Sequence, residues 1–227
     1  WVVGDGLSEN FQDLTHKDFI VNSEISKILD RYGYSPDKIA YYENFSLLEQ
    51  KIPNLCADRV DYSLREFPKK VAKKCFKDLT VKNGKMVFKN IASAKLFAVY
   101  FLKKQEEHWG GFEAVSRYRI FADILRDALE KKIIKFKDFW MDDEYVLEKL
   151  TRSGNEKIIK VLKALENKSL ANYPKSSRIC HKKFRHVDPV ILEDSKIVRL
   201  SEIDKKFKML LEKAREKNKK GIRIPRL

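Results

Sequence analysis

The stretch from Pro53 to Pro68, Pro-Asn-Leu-Cys-Ala-Asp-Arg-Val-Asp-Tyr-Ser-Leu-Arg-Glu-Phe-Pro, constrains this chain more than any other. Proline starts helices readily but does not sit inside them, so one helix of about three to four turns fits between the two. Wound at about 3.6 residues per turn, Asp58, Asp61, Tyr62 and Arg65 share one face, while Cys56, Val60, Leu64 and Phe67 share the other. Two readings follow. One is an amphipathic helix whose polar face is simply solvated. The other starts from the residue types: two short carboxylates, a phenol and a guanidinium, instead of the usual Lys and Glu, suit a metal ion and a phosphate.

The rest of the chain reads as mainly helical. Residues 17–32 carry Phe19, Ile20, Ile25, Ile28 and Leu29 at helical spacing, and Ser35-Pro36-Asp37 is a helix start. Leu79 to Phe88 alternates around Asn83-Gly84, a dipeptide that accepts the positive φ angles of a tight β-turn, and predicts a hairpin. Residues 91–107 and 112–131 return to helix, and the acidic stretch 138–143 is expected to begin another. His108, beside Trp109 at a helix end, reads as structural. Beyond Ser153 the character changes to one helix, interrupted strands through 178–191, a strand at Lys196–Leu200, and a helix from Lys205 to Lys217 behind Ser201–Asp204.

Charge sharpens that division. Residues 1–150 hold 26 Lys+Arg against 24 Asp+Glu, a net of +2, and residues 151–227 hold 22 against 9, a net of +13. We therefore expect a helical body over 1–150 with one small hairpin, and a basic α+β region over 151–227. Such a basic third is suited to a polyanion, either a nucleotide or a nucleic acid. Cys56, Cys75 and Cys180 are odd in number and far apart, which argues against a disulfide framework or zinc site and for a reducing, cytoplasmic setting. No apolar run approaches the roughly 18–20 residues of a membrane span. The opening Trp1 to Gly6 run is not a signal peptide and reads as the continuation of a longer polypeptide.

Ala57 to Glu66, Ala-Asp-Arg-Val-Asp-Tyr-Ser-Leu-Arg-Glu, resembles the Asp-x-x-Asp-Tyr helix of HD-superfamily metal-dependent phosphohydrolases, in their deoxynucleotide triphosphohydrolase-like branch. Asp13-Leu14-Thr15-His16, ahead of a helical run, is similar to the family segment carrying an active-site His, although Lys17 stands where relatives commonly have an acid. The resemblance implies an HD-type helical fold and hydrolysis of a phosphoester, most plainly of a nucleotide. It makes Asp58 a ligand of a divalent metal (Mn, Fe, Mg, Ni or Zn) and His16 a catalytic residue. Arg59, Tyr62 and Arg65 would line phosphate and sugar, Glu66 would bond a sugar hydroxyl, and Asp61 would orient the helix. The family's upstream His and His-Asp pair would precede residue 1, so this chain alone is expected to be inactive. A homodimer is the default for such relatives. The alternative is a non-catalytic HD-like scaffold that binds nucleic acid through its basic third.

Overall fold

The computed structural model describes every residue except Trp1, Asp5 and Ser195, so the opening run lies partly outside the described residues. In chain order the elements are α1 (Phe11–Asn22), α2 (Glu24–Arg31), α3 (Pro36–Ala40), α4 (Ala57–Glu66) and α5 (Lys69–Asp78). The strands β1 (Leu79–Lys82) and β2 (Lys85–Phe88) follow, then α6 (Ile91–Lys104) and a π-helical turn, Gln105–Trp109. After these come α7 (Phe112–Glu130), α8 (Asp143–Arg152), α9 (Glu156–Leu165), β3 (Lys175–Cys180), β4 (Val190–Glu193) and β5 (Lys196–Arg199). The chain closes with α10 (Leu200–Ile203), α11 (Lys205–Lys219) and β6 (Ile222–Pro225). The expectation of a mainly helical chain with some sheet holds.

Side-chain caps place several helix starts. Asn90 accepts from the Ser93 amide ahead of α6, Asp142 from the Tyr145 amide ahead of α8, and Asn155 from the Ile158 amide ahead of α9. Asp204 does the same for Phe207 at α11. Each satisfies an amide that the first helical turn leaves without a partner. The helix expected to begin within 138–143 starts at Asp143, behind Asp142 as its cap. Asp138 sits in a 3-10 turn, buried, where its carboxylate accepts from the Lys135 amide and from Lys149 at 2.8 Å each.

Two compact units form, and each draws on both halves of the sequence. One comprises Asn10–Glu106 with Lys183–Lys219. Its mixed sheet has the order β1-β2-β4-β5. The predicted hairpin is there, with Asn83 and Gly84 at φ +51° and +67° closing it. The sequence did not disclose that β2 continues into the sheet by parallel pairing with β4, with Val87 opposite Val190 and Phe88 opposite Ile191. Behind the strands Phe88, Phe97 and Phe67 meet ring to ring at 5.7 and 5.2 Å, all buried. Helix α6 supplies Phe97 and Phe101 from one face and packs against α5 and α11. Helix α11 in turn buries Phe207, Leu211 and Ala214 at helical spacing.

The other unit comprises Glu107–Lys182 and Lys220–Leu227, with the segment before Asn10. Ile124 and Ala128 of α7, Val146 and Leu150 of α8 and Ile158 of α9 share one buried cluster with Ile134. A second cluster joins Ile120, Leu170, Cys180 and Ile224 beside the antiparallel pair β3 and β6. The boundary expected near residue 150 therefore falls inside a helix whose Leu150 is fully buried among residues from both sides of it. Composition changes near residue 150, but burial of apolar surface runs across it, and β4 satisfies the open backbone edge of β2.

Candidate functional site

The helix expected between Pro53 and Pro68 exists as α4, shorter at its start. Its first turn is tied down by the preceding loop, with the Ala57 amide donating to the Leu47 carbonyl at 2.7 Å. Cys56, Val60 and Phe67 are buried as the periodicity required. Leu64 is only half-buried, and Ser63 takes the fully buried place, its hydroxyl donating to the Arg59 carbonyl at 2.6 Å. That back-bond within the helix satisfies the hydroxyl, which is why a polar residue sits there.

The polar face divides into committed and uncommitted groups. Arg59, expected at the substrate, is engaged by the loop ahead of the helix. Its side chain is 11% exposed and donates to the Glu49 carboxylate at 2.9 Å and to the Asn54 and Gln50 carbonyls at 2.5 and 2.9 Å. These three donor bonds fold the 49–54 loop onto the helix. Glu66 is paired with Lys104 of α6 at 3.1 Å. Arg65 meets Asp61 at 2.6 Å, one turn away, with both side chains well exposed. An exposed pair of this kind contributes at most about 1 kcal/mol, so an anion can draw Arg65 away from it.

Asp58 stands apart. It is exposed, and its carboxylate makes no hydrogen bond or ion pair among the described residues. Its carboxyl is nonetheless held above the usual range, first by partial loss of water and then by the neighbouring Glu49 charge, with Asp61 adding to it and Arg59 and Arg65 opposing. A carboxylate surrounded by like charge gains from a nearby cation. Tyr62 is half-buried, with its ring 6.2 Å from that of Phe101, and burial pushes its phenol up to about 12. At neutral pH it is a hydrogen-bond donor.

His16 lies in α1, half-buried, and its ring meets Tyr42 edge-on at 5.5 Å. No hydrogen bond, ion pair or ring contact joins it to α4 among the described residues. The link is indirect: the Glu49 charge acts on both Tyr42 and Asp58.

Sequence reasoning missed the segment 183–188, which lies beside α4. The Asp188 amide donates to the Pro53 carbonyl at 3.0 Å, and Arg199 bridges the Asp188 carbonyl and Asn54 at 2.9 and 2.8 Å. The buried Asp188 carboxylate accepts from the Ser201 amide and hydroxyl at 3.0 and 2.6 Å. Arg185 acts electrostatically on the Tyr62 phenol. His186 is buried, stacked on Phe184 at 4.7 Å, and its Nδ1 has no partner. Burial holds its imidazole below the usual range, with Arg215 and Arg59 acting in the same direction. Neutral His186 is thus favoured at physiological pH. The mixture Lys-Phe-Arg-His in 183–186 was the available signal, but it reads equally as an interrupted strand.

The donor set can be tested against the implied metal. Among the described residues no three His, Cys, Asp or Glu side chains converge in a group that could hold an ion. Asp58 is one donor, and a transition-metal site needs several converging ones. The residues of this chain do not by themselves fit the group.

A mainly α-helical protein with a small mixed sheet, bearing an uncommitted carboxylate beside a phenol and a loosely held guanidinium, is the class these features define. No family model and no solved structure matches the chain. It is 30% identical over 232 aligned residues to the uncharacterized protein YdhJ of Bacillus subtilis (strain 168), a match that covers 98% of this chain and 71% of that protein. The chain belongs to the same family as YdhJ. Among the described residues no helix is long and apolar enough to cross a membrane.

Proposed function

We propose that this chain forms the substrate side of an HD-type metal-dependent phosphohydrolase acting on a nucleotide. The observation that supports the reading best is Asp58: an exposed carboxylate without a protein partner, repelled by Glu49, in the first turn of α4. In this reading Asp58 would be one ligand of a divalent metal, joined by donors that the described residues do not group with it. The metal contributes Lewis acidity when bound.

The chain's own residues handle the anion. Tyr62, protonated at neutral pH, donates to a phosphate or sugar oxygen. Arg65 leaves its exposed pair with Asp61 and takes two phosphate oxygens through its planar fork. Arg59 sets the position of Asp58 by fastening the 49–54 loop to the helix, without touching the ligand. Arg185, whose charge acts on the Tyr62 phenol, adds positive potential near the sugar side.

The test is nucleotide hydrolysis with manganese by the full-length polypeptide. Asp58→Asn should lower kcat/KM by at least about a hundredfold at an unchanged melting temperature, and Arg65→Gln should raise KM. Undiminished hydrolysis by Asp58→Asn, or no hydrolysis of any nucleotide in a broad panel by the wild type, would overturn it.

A further inference from the structure

A second place in the molecule gathers cations without acids. Within the unit formed by Glu107–Lys182 and Lys220–Leu227, a cavity of about 350 Å³ is lined by Lys160, Lys163, Asn167, Tyr173 and Arg226 over an Ala164 and Leu227 floor. That volume lies in the range of small-molecule sites, roughly 300–1,000 Å³. Its lining carries no Asp or Glu among the described residues.

The arrangement follows from α9. Ile158, Val161, Leu162 and Leu165 turn one side of the helix into the two apolar clusters. Lys160, Lys163 and Ala164 therefore lie on the opposite arc, and Asn167 follows just past the helix end on the same side. Asn167 Nδ2 donates to the Ala164 carbonyl at 3.2 Å and to the Tyr173 hydroxyl at 2.8 Å, which fixes one wall. Arg226 is held beside Tyr173 because its amide donates to the Pro174 carbonyl at 2.8 Å.

Several cations of this unit are paired, among them Arg117 with Glu113, Arg178 with Asp123, and Lys131 and Lys157 with Asp127. Lys160, Lys163 and Arg226 have no carboxylate partner among the described residues. Like charges held around one concavity repel one another, and an anion seated between them relieves that repulsion. Two ammonium groups one helical turn apart and a guanidinium in the same lining suit a ligand with charge on more than one group.

We propose that this cavity binds a small ligand carrying two phosphoryl groups. The inference is independent of the reading of α4. Lys160 and Lys163 act as point charges on one phosphoryl group, and Arg226 takes the other. The Tyr173 ring offers a flat apolar surface to whatever the phosphates are attached to.

Calorimetric titration of the whole chain with sodium pyrophosphate, and separately with ADP, both without divalent metal, tests it. Each should bind saturably, and equally well to Arg65→Gln, which separates this site from α4. The double variant Lys163→Gln/Arg226→Gln should weaken binding by at least about tenfold. Removing the same charge from α11 in Lys206→Gln/Lys213→Gln should change it by less than about twofold. Tighter binding of ADP than of pyrophosphate assigns a nucleoside diphosphate, and equal binding assigns the phosphates alone; both support the site. No saturable binding of either probe, or an equal loss in the two double variants, overturns it. Circular dichroism verifies that each variant is folded, and the single variant Lys160→Gln, at an exposed position, carries the comparison if the double variant is not.

Discussion

Arg59 donates to Glu49 at 2.9 Å across ten residues of chain, and the same guanidinium caps the carbonyls of Asn54 and Gln50. The loop ahead of α4 is thus built around one buried cation. The same Glu49 repels Asp58. A paired and an unpaired charge are therefore neighbours on this helix, one neutralised and one left open.

Replacing Arg59 should cost stability. A lysine ammonium cannot reach the carboxylate and two carbonyls together, because its donors radiate from one point and lack the planar fork. Arg59→Lys is expected to destabilise by about 2 kcal/mol, the scale of hydrogen bonds to a charged group that lose their geometry. Urea unfolding monitored by circular dichroism measures it.

Asp58 should behave in the opposite way. Its raised carboxyl pKa means that the folded protein disfavours the charge, so the penalty is present at neutral pH and fades as pH falls through the folded pKa. Asp58→Asn should leave this chain as stable as the wild type or slightly more so, within about 0.5 kcal/mol. A clear loss of stability would make Asp58 a structural residue.

Tyr62 gives a pH signature at the alkaline end. Its folded pKa of about 12 exceeds the unfolded value near 10, so the folded state holds the proton longer. The associated stability is fully present below the unfolded pKa and declines between about pH 10 and 12. Tyr62→Phe should flatten that decline in denaturation curves taken across the range.

Gly221 carries φ +68°, and a Cβ there would come within 2.6 Å of Ile179 Cγ2 and 2.9 Å of the Cys180 carbonyl oxygen. Both contacts are too close for a side chain, and the backbone lies in the left-handed region. Gly221→Ala should destabilise the β3–β6 pair by roughly 1–3 kcal/mol, seen as a lowered melting temperature.

Leu150 tests the division of the chain. Fully buried between α7, α8 and α9, it should cost about 2–5 kcal/mol when changed to Ala. A chain ended at residue 150 should be cleaved rapidly by trypsin, since it would lose Ile158 from one unit and β4 from the other.

Local patterns were legible wherever the chain spoke about itself. Two prolines bracketed α4, Asn83-Gly84 announced a hairpin through the φ angles it tolerates, and helical spacing named Val60, Phe97 and Phe207 as interior. Those properties belong to the backbone and to side chains within a few residues. The tertiary structure alone decided which polar groups stay free. Arg59 and Arg65 look alike in sequence, six residues apart, yet one is buried beneath its own loop and the other is held loosely at the surface. Nor could the sequence foretell that β4 would complete the β2 edge, or that Lys160, Lys163 and Arg226 would share a cavity whose lining holds no Asp or Glu among the described residues. Strand pairing and charge pairing depend on partners distant in the chain, and only packing brings those partners within reach of one another.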